Sequence, residues 1–362
     1  MAQTRSIEEI LTLMAKEVPH QEGSSHITPG LGNILSSYEK IPYWSEKQSI
    51  EVTKGIRHPN SDKIYETCSG IVRHIEYTKD DIETFVNKEL KDIGKEKAKL
   101  NPATGLFIST LINNLPQSEE LYFQLDDVGD ENRLDHLGFR LGENKRHTIS
   151  IGGPTPDYVA EEMIDGRVYL PDTALTFFLG KGMKGGYIEA PNSQHYVGSD
   201  MEGGEIHLFP SSLRGLDGSL KNSTSSLVGD GMKGGKIVVE GNTHCIGDNM
   251  QDGYIRVAGN VMDRVGSGMR GGNIVVHGDV ATVGLYMKGG DIVIEGNAGS
   301  LNDDGYAGRI YIGGDVREYV RDEGKTDITI NGIIYAHKRP HRYTEEEMCR
   351  LHEALINVKP KV

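Results

Sequence analysis

Between residues 179 and 294 the hydrophobic and polar positions of the chain follow one pattern that occurs six times. Each copy reads aliphatic-Gly-x-x-Met-x-(Gly/Asp)-Gly-x-Ile, followed by any residue and then a small or aliphatic one. The copies begin at Leu179, Val197, Val228, Ile246, Val265 and Val283. Successive methionines of the pattern are 18, 31, 18, 19 and 18 residues apart. A step near 18 is too short for a helical repeat or a propeller blade, so each copy predicts one coil of a parallel β-solenoid.

The positions within a coil predict its core and its corners. The aliphatic residue, the Met, and the residues five and seven after the Met are expected to point inward and stack on their equivalents in neighbouring coils. Glycines three before and three after the Met mark corners that need a positive φ or have no room for a Cβ. The second set is Gly186, Gly204, Gly235, Gly253, Gly272 and Gly290. Gly-Asn and Gly-Asp pairs from Gly241-Asn242 onward predict a further turn, in which stacked Asn side chains form a ladder.

The column of Ile residues five after each Met extends the solenoid beyond the six clear copies. Similar steps reach Ile310 and Ile328 downstream, and Val168 and Ile149 upstream. Eight or more coils are therefore predicted, with degenerate outer coils as caps. The apolar spacing is too uneven for a left-handed hexapeptide helix, and the calcium-binding nonapeptide pattern does not occur in these coils. We predict a right-handed parallel β-helix, in a mostly β protein.

Residues 1–146 read as an α+β unit. An amphipathic helix is predicted over 6–17, irregular chain over 18–62 and a half-buried strand over 71–76. Thr78 is predicted to cap a helix whose apolar stripe is Ile82, Phe85, Val86, Leu90 and Ile93. A helix near 103–115 and a strand near 120–125 follow. After the β-helix at 147–335, residues 336–362 combine a basic segment with a helix that caps the end of the solenoid.

The run Val228-Gly-Asp-Gly-Met-Lys-Gly-Gly-Lys-Ile-Val-Val-Glu-Gly-Asn242 is echoed at 265–279 and 283–297. It resembles the GXGXG repeat, which forms the β-helical domain of the glutamate synthase large subunit and the β-helical subunit of formylmethanofuran dehydrogenase. The turn at 296–299 is more similar to the latter. This resemblance spans about half of the chain and implies a scaffold that holds catalytic domains or subunits of an oxidoreductase or C1-transfer complex. It implies no catalytic residue.

The composition indicates which kinds of partner and which cellular compartment to expect. The formal net charge of −14 argues against a nucleic-acid surface, which needs clustered Lys and Arg. Three separate cysteines suggest neither a disulfide framework nor a thiolate metal site. The first residues lack the apolar run of a signal peptide, and no apolar run is long enough to span a membrane. We expect a cytoplasmic protein.

Candidate sites lie where the repeat carries extra or unexpected residues. Val238, Val275 and Val293 are predicted to face outward, where either this chain or another protein shields them. The basic segment contributes Lys338, Arg339 and Arg342 as possible partner contacts, the alternative being a solvated surface. The long step adds a polar excursion near 210–226, which is either functional or simply variable.

Other clusters do not form a recognisable site. The acidic stretch from Asp126 to Asp135, beside His136, has hard-cation ligands but no known spacing, so a solvated loop is favoured. His195, His207, His244 and His277 fall in different columns. No phosphate-binding loop occurs. No metal or cofactor site is predicted.

Two functions follow from this sequence. The first is an architectural protein without catalytic activity of its own that organises other subunits or self-associates. The alternative is an enzyme or regulator whose site lies in the N-terminal unit or at its junction with the β-helix.

Overall fold

The computed structural model describes residues 27–41, 61–96, 100–126, 134–170, 176–192, 195–210, 225–302, 307–320, 327–330 and 333–335. These residues form a helical unit followed by a parallel β-solenoid of about eight turns, with about 18 residues per coil. The prediction of a mostly β protein built on a parallel β-solenoid of about 18 residues per coil is confirmed, whereas its right-handedness stays a prediction. The predicted helices at 6–17 and near the C-terminus lie outside the described residues.

The helical unit contains five α-helices in its described part. They are α1 (Pro29–Tyr38), α2 (Ser61–Val72), α3 (Lys79–Thr84), α4 (Leu90–Glu96) and α5 (Thr104–Asn113). A π-helical turn, Phe85–Glu89, joins α3 to α4. The prediction of a helix after Thr78 is confirmed, because the Thr78 side chain accepts from the Asp81 amide and the Asp81 carboxylate accepts from the Thr78 amide. The helix near 103–115 is confirmed as well.

Two predictions in this unit are wrong. The stretch 18–62 is not irregular throughout, since Thr28 caps α1 and Pro29 occupies its first turn. Residues 71–76 do not form a strand, because α2 extends to Val72. The buried side chains of α2 at Tyr65, Cys68 and Val72 follow helical spacing, and this stripe outweighs the short alternation around Ile71.

Along the described chain, twelve strands form one sheet. In spatial order they are β1 (Glu120–Gln124), β2 (Thr148–Gly152), β3 (Arg167–Tyr169), β4 (Tyr187–Pro191), β5 (Glu205–Phe209), β6 (Lys236–Val239), β7 (Tyr254–Val257), β9 (Asn273–Val276), β11 (Asp291–Ile294), β13 (Arg309–Ile312), β15 (Asp327–Ile330) and β16 (Ile333–Tyr335). All neighbours pair in parallel except β15 and β16. A second sheet contains β14 (Val316–Val320), β12 (Ala298–Asn302), β10 (Val280–Val283) and β8 (Val261–Val265).

The predicted Ile column is present in register. Ile149 pairs with Val168, Val168 with Ile188, and the same register continues through Ile292 and Ile310 to Ile328. The strand predicted near 120–125 is also present as β1, and it pairs with β2 as the first strand of the same sheet. The long sheet therefore begins at Glu120, ahead of the recognisable repeat.

The spacing of Gly, Met and Ile follows from contacts between coils. The glycine three after each Met has a positive φ, and the methyl of the preceding coil's Met lies where a Cβ would be. At Gly235 φ is 85° and the added Cβ would lie 2.7 Å from Cε of Met201. The glycine three before each Met receives an Ile methyl from the next coil, as Gly229 receives Cδ1 of Ile255. Glycine therefore fits both columns, because a side-chain methyl of a neighbouring coil fills the space that a Cβ would occupy.

The predicted Asn ladder is present along another corner. The side-chain oxygen of Asn242 accepts from the amide of Asn260 at 2.8 Å. Asn260 accepts in turn from Asp279 at 2.8 Å, Asp279 from Asn297 at 2.7 Å, and Asn297 from Asp315 at 2.9 Å. Each rung joins a side chain to the backbone of the next coil, so the ladder fixes the register of successive turns.

Helix α5 closes the first end of the solenoid. All ten of its residues are buried. The Ser109 hydroxyl donates to the carbonyl of His136 at 3.0 Å and accepts from the amide of Gly138 at 2.9 Å. Asn113 donates to the carbonyls of Phe139 and Arg140 and accepts from the amide of Gly142. Side chains of the helix thus satisfy backbone groups that the first coil would otherwise bury without partners.

Candidate functional site

Six residues ending at the Met of each coil form what we call the turn segment. In the four turn segments 158–163, 178–183, 196–201 and 227–232 the backbone alternates, with a positive φ at the first, third and fifth positions. In the coil 178–183 these positions are Phe178, Gly180 and Gly182, at 61°, 63° and 62°. In the coil 158–163 they are Tyr158, Ala160 and Glu162, at 57°, 58° and 55°. That coil holds three non-glycine residues in the left-handed region, and each costs on the order of 1 kcal/mol. Such strain clusters at functional sites.

Four adjacent coils line an open cleft of about 310 Å³, with residues of their turn segments or with the residue that follows the Met. Its lining residues are Glu161, Glu162, Lys181, Gly182, Lys184, Asp200, Glu202 and Lys233. All but one of these residues have ionisable side chains. The strained coil 158–163 contributes two of the carboxylates, so the backbone strain and the cleft coincide.

Three charged residues that line this cleft are buried, namely Glu161, Glu162 and Lys181. Glu161 is 2% exposed, and its Oε2 accepts from Nδ1 of His136 at 2.7 Å. Lys181 is 7% exposed, and its Nζ lies 5.3 Å and 5.7 Å from the ring centroids of Phe178 and Tyr158. Burying ionic groups costs several kcal/mol per ion before their partners compensate. Apolar residues would stabilise a purely structural coil at least as well.

A stack of aromatic rings lies beside these charged side chains. His136 stacks on Tyr158 at a centroid distance of 4.8 Å, Tyr158 on Phe178 at 4.7 Å, and Phe178 on Tyr196 at 4.6 Å. Tyr158, Phe178 and Tyr196 open successive turn segments, and His136 precedes them in the same stack, so the rings form a ladder along the solenoid axis. The Lys181 ammonium lies over the ring faces of its two central members, an arrangement that favours a cation.

The charges in the cleft alternate from coil to coil. One coil contributes Glu161 and Glu162, the next Lys181 and Lys184, the third Asp200 and Glu202, and the fourth Lys233. Two ion pairs cross between coils: Lys184 Nζ lies 3.9 Å from Glu162 Oε2, and Lys233 Nζ lies 3.3 Å from Glu202 Oε1. Since parallel strands are about 4.8 Å apart, rows of opposite charge follow one another at about that spacing.

Arg140 connects this cleft to the helical unit. Its Nη2 lies 2.9 Å from Asp62 Oδ1 and its Nη1 lies 3.2 Å from Glu66 Oε1, both on α2, while its Nε lies 3.4 Å from Glu162 Oε2. The guanidinium also lies over the rings of Tyr65 and Phe139. The cleft is therefore coupled to the junction between the helices and the solenoid.

A histidine–serine pair lies on the same solenoid, next to the long step of the repeat. Nδ1 of His195 is 2.5 Å from Oγ of Ser226, and the His195 ring stacks on Phe177 at 4.9 Å. Burial lowers the pKa of His195, and nearby His244 lowers it further. A neutral imidazole at pH 7 can accept the Ser226 proton, so this pair has the first two members of a nucleophile–base arrangement.

The three valines predicted to face outward lie on the sheet face opposite the core. Val275 and Val293 form a separate apolar cluster with Tyr254, against which Tyr311 packs. Val238, Val275 and Val293 are 7%, 1% and 1% exposed within the single chain. A partner protein could contact these side chains only if the residues that now bury them moved away. Their role as partner contacts therefore stays a prediction.

The other predicted site residues are not among the described residues that line the cleft. Lys338, Arg339 and Arg342 lie outside the described residues, as does 211–224 of the excursion. Within the acidic stretch, Asp135 accepts from the amide of Asp157 through Oδ1. Nε2 of His207 lies 3.7 Å from Oε1 of Glu240, and Nδ1 of His277 lies 2.8 Å from Oε2 of Glu295. Within the described ranges, no three or more His, Cys, Asp or Glu side chains are arranged to hold a metal ion.

The cleft was not predicted from the six clear copies because part of it belongs to a further, degenerate copy of the repeat. Tyr158-Val-Ala-Glu-Glu-Met163 aligns with the turn segments, but Ala160 and Glu162 stand where the next coil has glycine. The signal was present, since Val168 follows Met163 by the same five residues that separate Met and Ile elsewhere. A Met column extended upstream would have found it.

A scan against models of protein families gives no match to this chain, and a search of curated proteins gives none either. The GXGXG resemblance therefore rests on the repeat motif alone. In the part of the chain that the structure describes, no helix is both long and apolar enough to cross a membrane.

Proposed function

We propose that the protein is an architectural subunit whose β-helix organises other subunits, or further copies of itself, in a cytoplasmic complex. The observation that carries this proposal is the interlocking of Gly, Met and Ile between coils. Every defining position of the motif packs against the next coil, so the repeat specifies a stiff rod. Its twelve described strands, at about 4.8 Å each, extend roughly 50 Å.

The resemblance to GXGXG domains supports the same function. By analogy with those domains, the complex would be an oxidoreductase or C1-transfer enzyme in which catalysis belongs to other chains. The edge of β1 is covered in a way that is consistent with this role. Asn87 donates to the Tyr122 carbonyl and accepts from the Gln124 amide, and Glu83 accepts from the Tyr122 amide, so this sheet edge is protected from pairing with unrelated chains.

The native mass of the protein tests this proposal. We expect affinity purification from the source cells under mild conditions, followed by native mass spectrometry, to give an assembly well above the 39.8 kDa of one chain. The components should be present in fixed stoichiometry after a high-salt wash. A chain recovered at 39.8 kDa at cellular concentration would contradict the proposal.

A second function, an enzyme or regulator with a site at the junction, is favoured by the charged cleft. Arg140 links the cleft to α2, and the strained coil 158–163 contributes its carboxylates. The two functions are compatible, because one chain can hold a ligand and organise partners.

A further inference from the structure

We infer that the cleft lined by turn segments 158–163, 178–183 and 196–201, together with Lys184, Glu202 and Lys233, binds a small zwitterion, a molecule with an amino group at one end and a carboxylate at the other. This inference is independent of the architectural function. It rests on the alternation of charge and the buried ionic groups at this place on the solenoid, and on turn segment 158–163, which holds three non-glycine residues in the left-handed region.

The alternation of charge sets the class of ligand. An anion alone would face Glu161, Glu162, Asp200 and Glu202, and a cation alone would face Lys181, Lys184 and Lys233. A molecule with both charges can place its carboxylate at the basic coil of Lys181 and Lys184 and its ammonium at the acidic coil of Asp200 and Glu202. Charge-assisted hydrogen bonds of this kind are the stronger ones in proteins.

Spacing sets the length of the ligand. Adjacent coils are about 4.8 Å apart, so the two ends of the ligand should be separated by about that distance. The volume of about 310 Å³ lies at the small end of ligand pockets and suits a compact molecule. An ω-amino acid of intermediate chain length matches both limits, whereas an α-amino acid has its charges closer together.

Two buried side chains of the cleft, Glu161 and Lys181, are held in place before a ligand binds. Glu161 is held by His136 and Lys181 by the aromatic ladder, so neither buried side chain must be ordered on binding. Ser199, the next residue in the column of Glu161 and Lys181, is 6% exposed. Its hydroxyl has no hydrogen-bond partner among the described residues.

Calorimetric titration of the full chain tests the inference with three matched probes. They are 4-aminobutyrate, which carries both charges, butylamine, which carries only the positive one, and butyrate, which carries only the negative one. We expect 4-aminobutyrate to bind at millimolar concentration or below, and the other two to bind at least about tenfold more weakly. Glycine, whose charges are closer together, should also bind more weakly.

Two lysines in the same column provide a matched pair of variants. Lys184 and Lys288 each directly follow the Met of their coil and are exposed, but only Lys184 lines the cleft. We expect Lys184→Met to weaken 4-aminobutyrate binding about tenfold and Lys288→Met to leave it unchanged, with equal unfolding midpoints.

Three results would overturn the inference. They are the absence of any heat with 4-aminobutyrate at millimolar concentration, equal affinity for all three probes, or equal effects of the two lysine variants. None of them bears on the native mass, so failure here is distinguishable from failure of the architectural proposal.

Discussion

At the scale of single residues, the motif glycines do two things at once. They supply a left-handed backbone, and they leave room for a methyl from the neighbouring coil. The positive φ and the lack of space would each disfavour a side chain, and here both act at the same Cβ position. Turn segment 158–163 departs from this rule at Ala160, and it also supplies the buried carboxylates of the cleft, Glu161 and Glu162.

Replacing Gly235 by alanine tests this double requirement. The new Cβ would meet Met201 Cε at 2.7 Å and the backbone carbon of Gly203 at 2.9 Å, with φ at 85°. We expect the free energy of unfolding to fall by about 2–4 kcal/mol, measured by urea denaturation. Gly70→Ala is the control, because its Cβ on α2 would have no atom within 4 Å. That change should stabilise the protein by about 0.5–1 kcal/mol; a similar loss at both sites would contradict the explanation.

Protonation of His147 should destabilise the protein. The ring is buried, and its Nδ1 accepts from the amide of Glu119 at 3.2 Å. Burial lowers the pKa of His147 in the folded state, although Glu119 offsets part of the effect. The unfolded chain then binds more protons just below its pKa of about 6.5. The stability contributed by the neutral ring is therefore complete above about pH 6.5 and is lost as pH falls through the folded pKa.

Urea denaturation at about pH 7.5 and about pH 5.5 checks this sign. We expect wild type to lose more stability between the two than His147→Gln, whose amide oxygen can still accept from Glu119 and does not titrate. Equal losses in the two proteins would show that other histidines carry the pH dependence.

At the scale of elements, α5 acts as the first turn's hydrogen-bonding partner. An open β-helix end leaves backbone amides and carbonyls without the coil that would pair with them. Ser109 and Asn113 take the place of that missing coil, and they do so from a helix whose ten residues are all buried. Residues that look like an ordinary apolar helix thus determine where the solenoid starts.

Alanine variants of Asn113 and Asn114 distinguish the capping function of α5 from the stability of the helix itself. Asn113→Ala leaves the carbonyls of Phe139 and Arg140 and the amide of Gly142 without the Asn113 side chain, and we expect a loss of roughly 3 kcal/mol or more. Asn114 donates only within its own helix, to Thr110 O at 2.8 Å, so Asn114→Ala should cost less than about 1 kcal/mol. Hydrogen exchange of β2 should accelerate in the first variant alone. Unchanged exchange of β2 in Asn113→Ala would rule out the capping function.

Different elements were predictable from sequence to different extents. The Ile column reached Val168 and Ile149 correctly, because a β-helix constrains spacing even where Met and Gly are lost. The region before residue 120 has no period, and its alternation at Ile71 and Ile75 competed with the helical stripe of α2. The cleft depends on side chains from four coils, and no single copy of the motif shows that their charges alternate. Burial of the outward valines depends on tertiary contacts, which a pattern of residues does not contain.

At the scale of the whole molecule, stability should be distributed coil by coil. Each turn contacts chiefly its two neighbours, as in other linear repeats. Met250→Ala removes a fully buried side chain and should cost about 2–5 kcal/mol. We expect hydrogen exchange to accelerate mainly in the coils that contain β6, β7 and β9, while β1 and β2 change little.

Met262, which is 43% exposed on β8, provides the control. Met262→Ala should leave exchange close to wild type. If Met250→Ala instead accelerates exchange evenly from β1 to β13, the solenoid unfolds as one cooperative body and the description by neighbouring coils is wrong.

The long step of the repeat has a consequence for how such a chain can change length. Met201 and Met232 are 31 residues apart instead of 18, yet Ile206 still pairs with Ile237 as if the coils were consecutive. Extra sequence enters between two strands while their alignment is kept. This corner is therefore a natural graft point, where a peptide tag or a small folded module can be carried without altering the pitch of the rod.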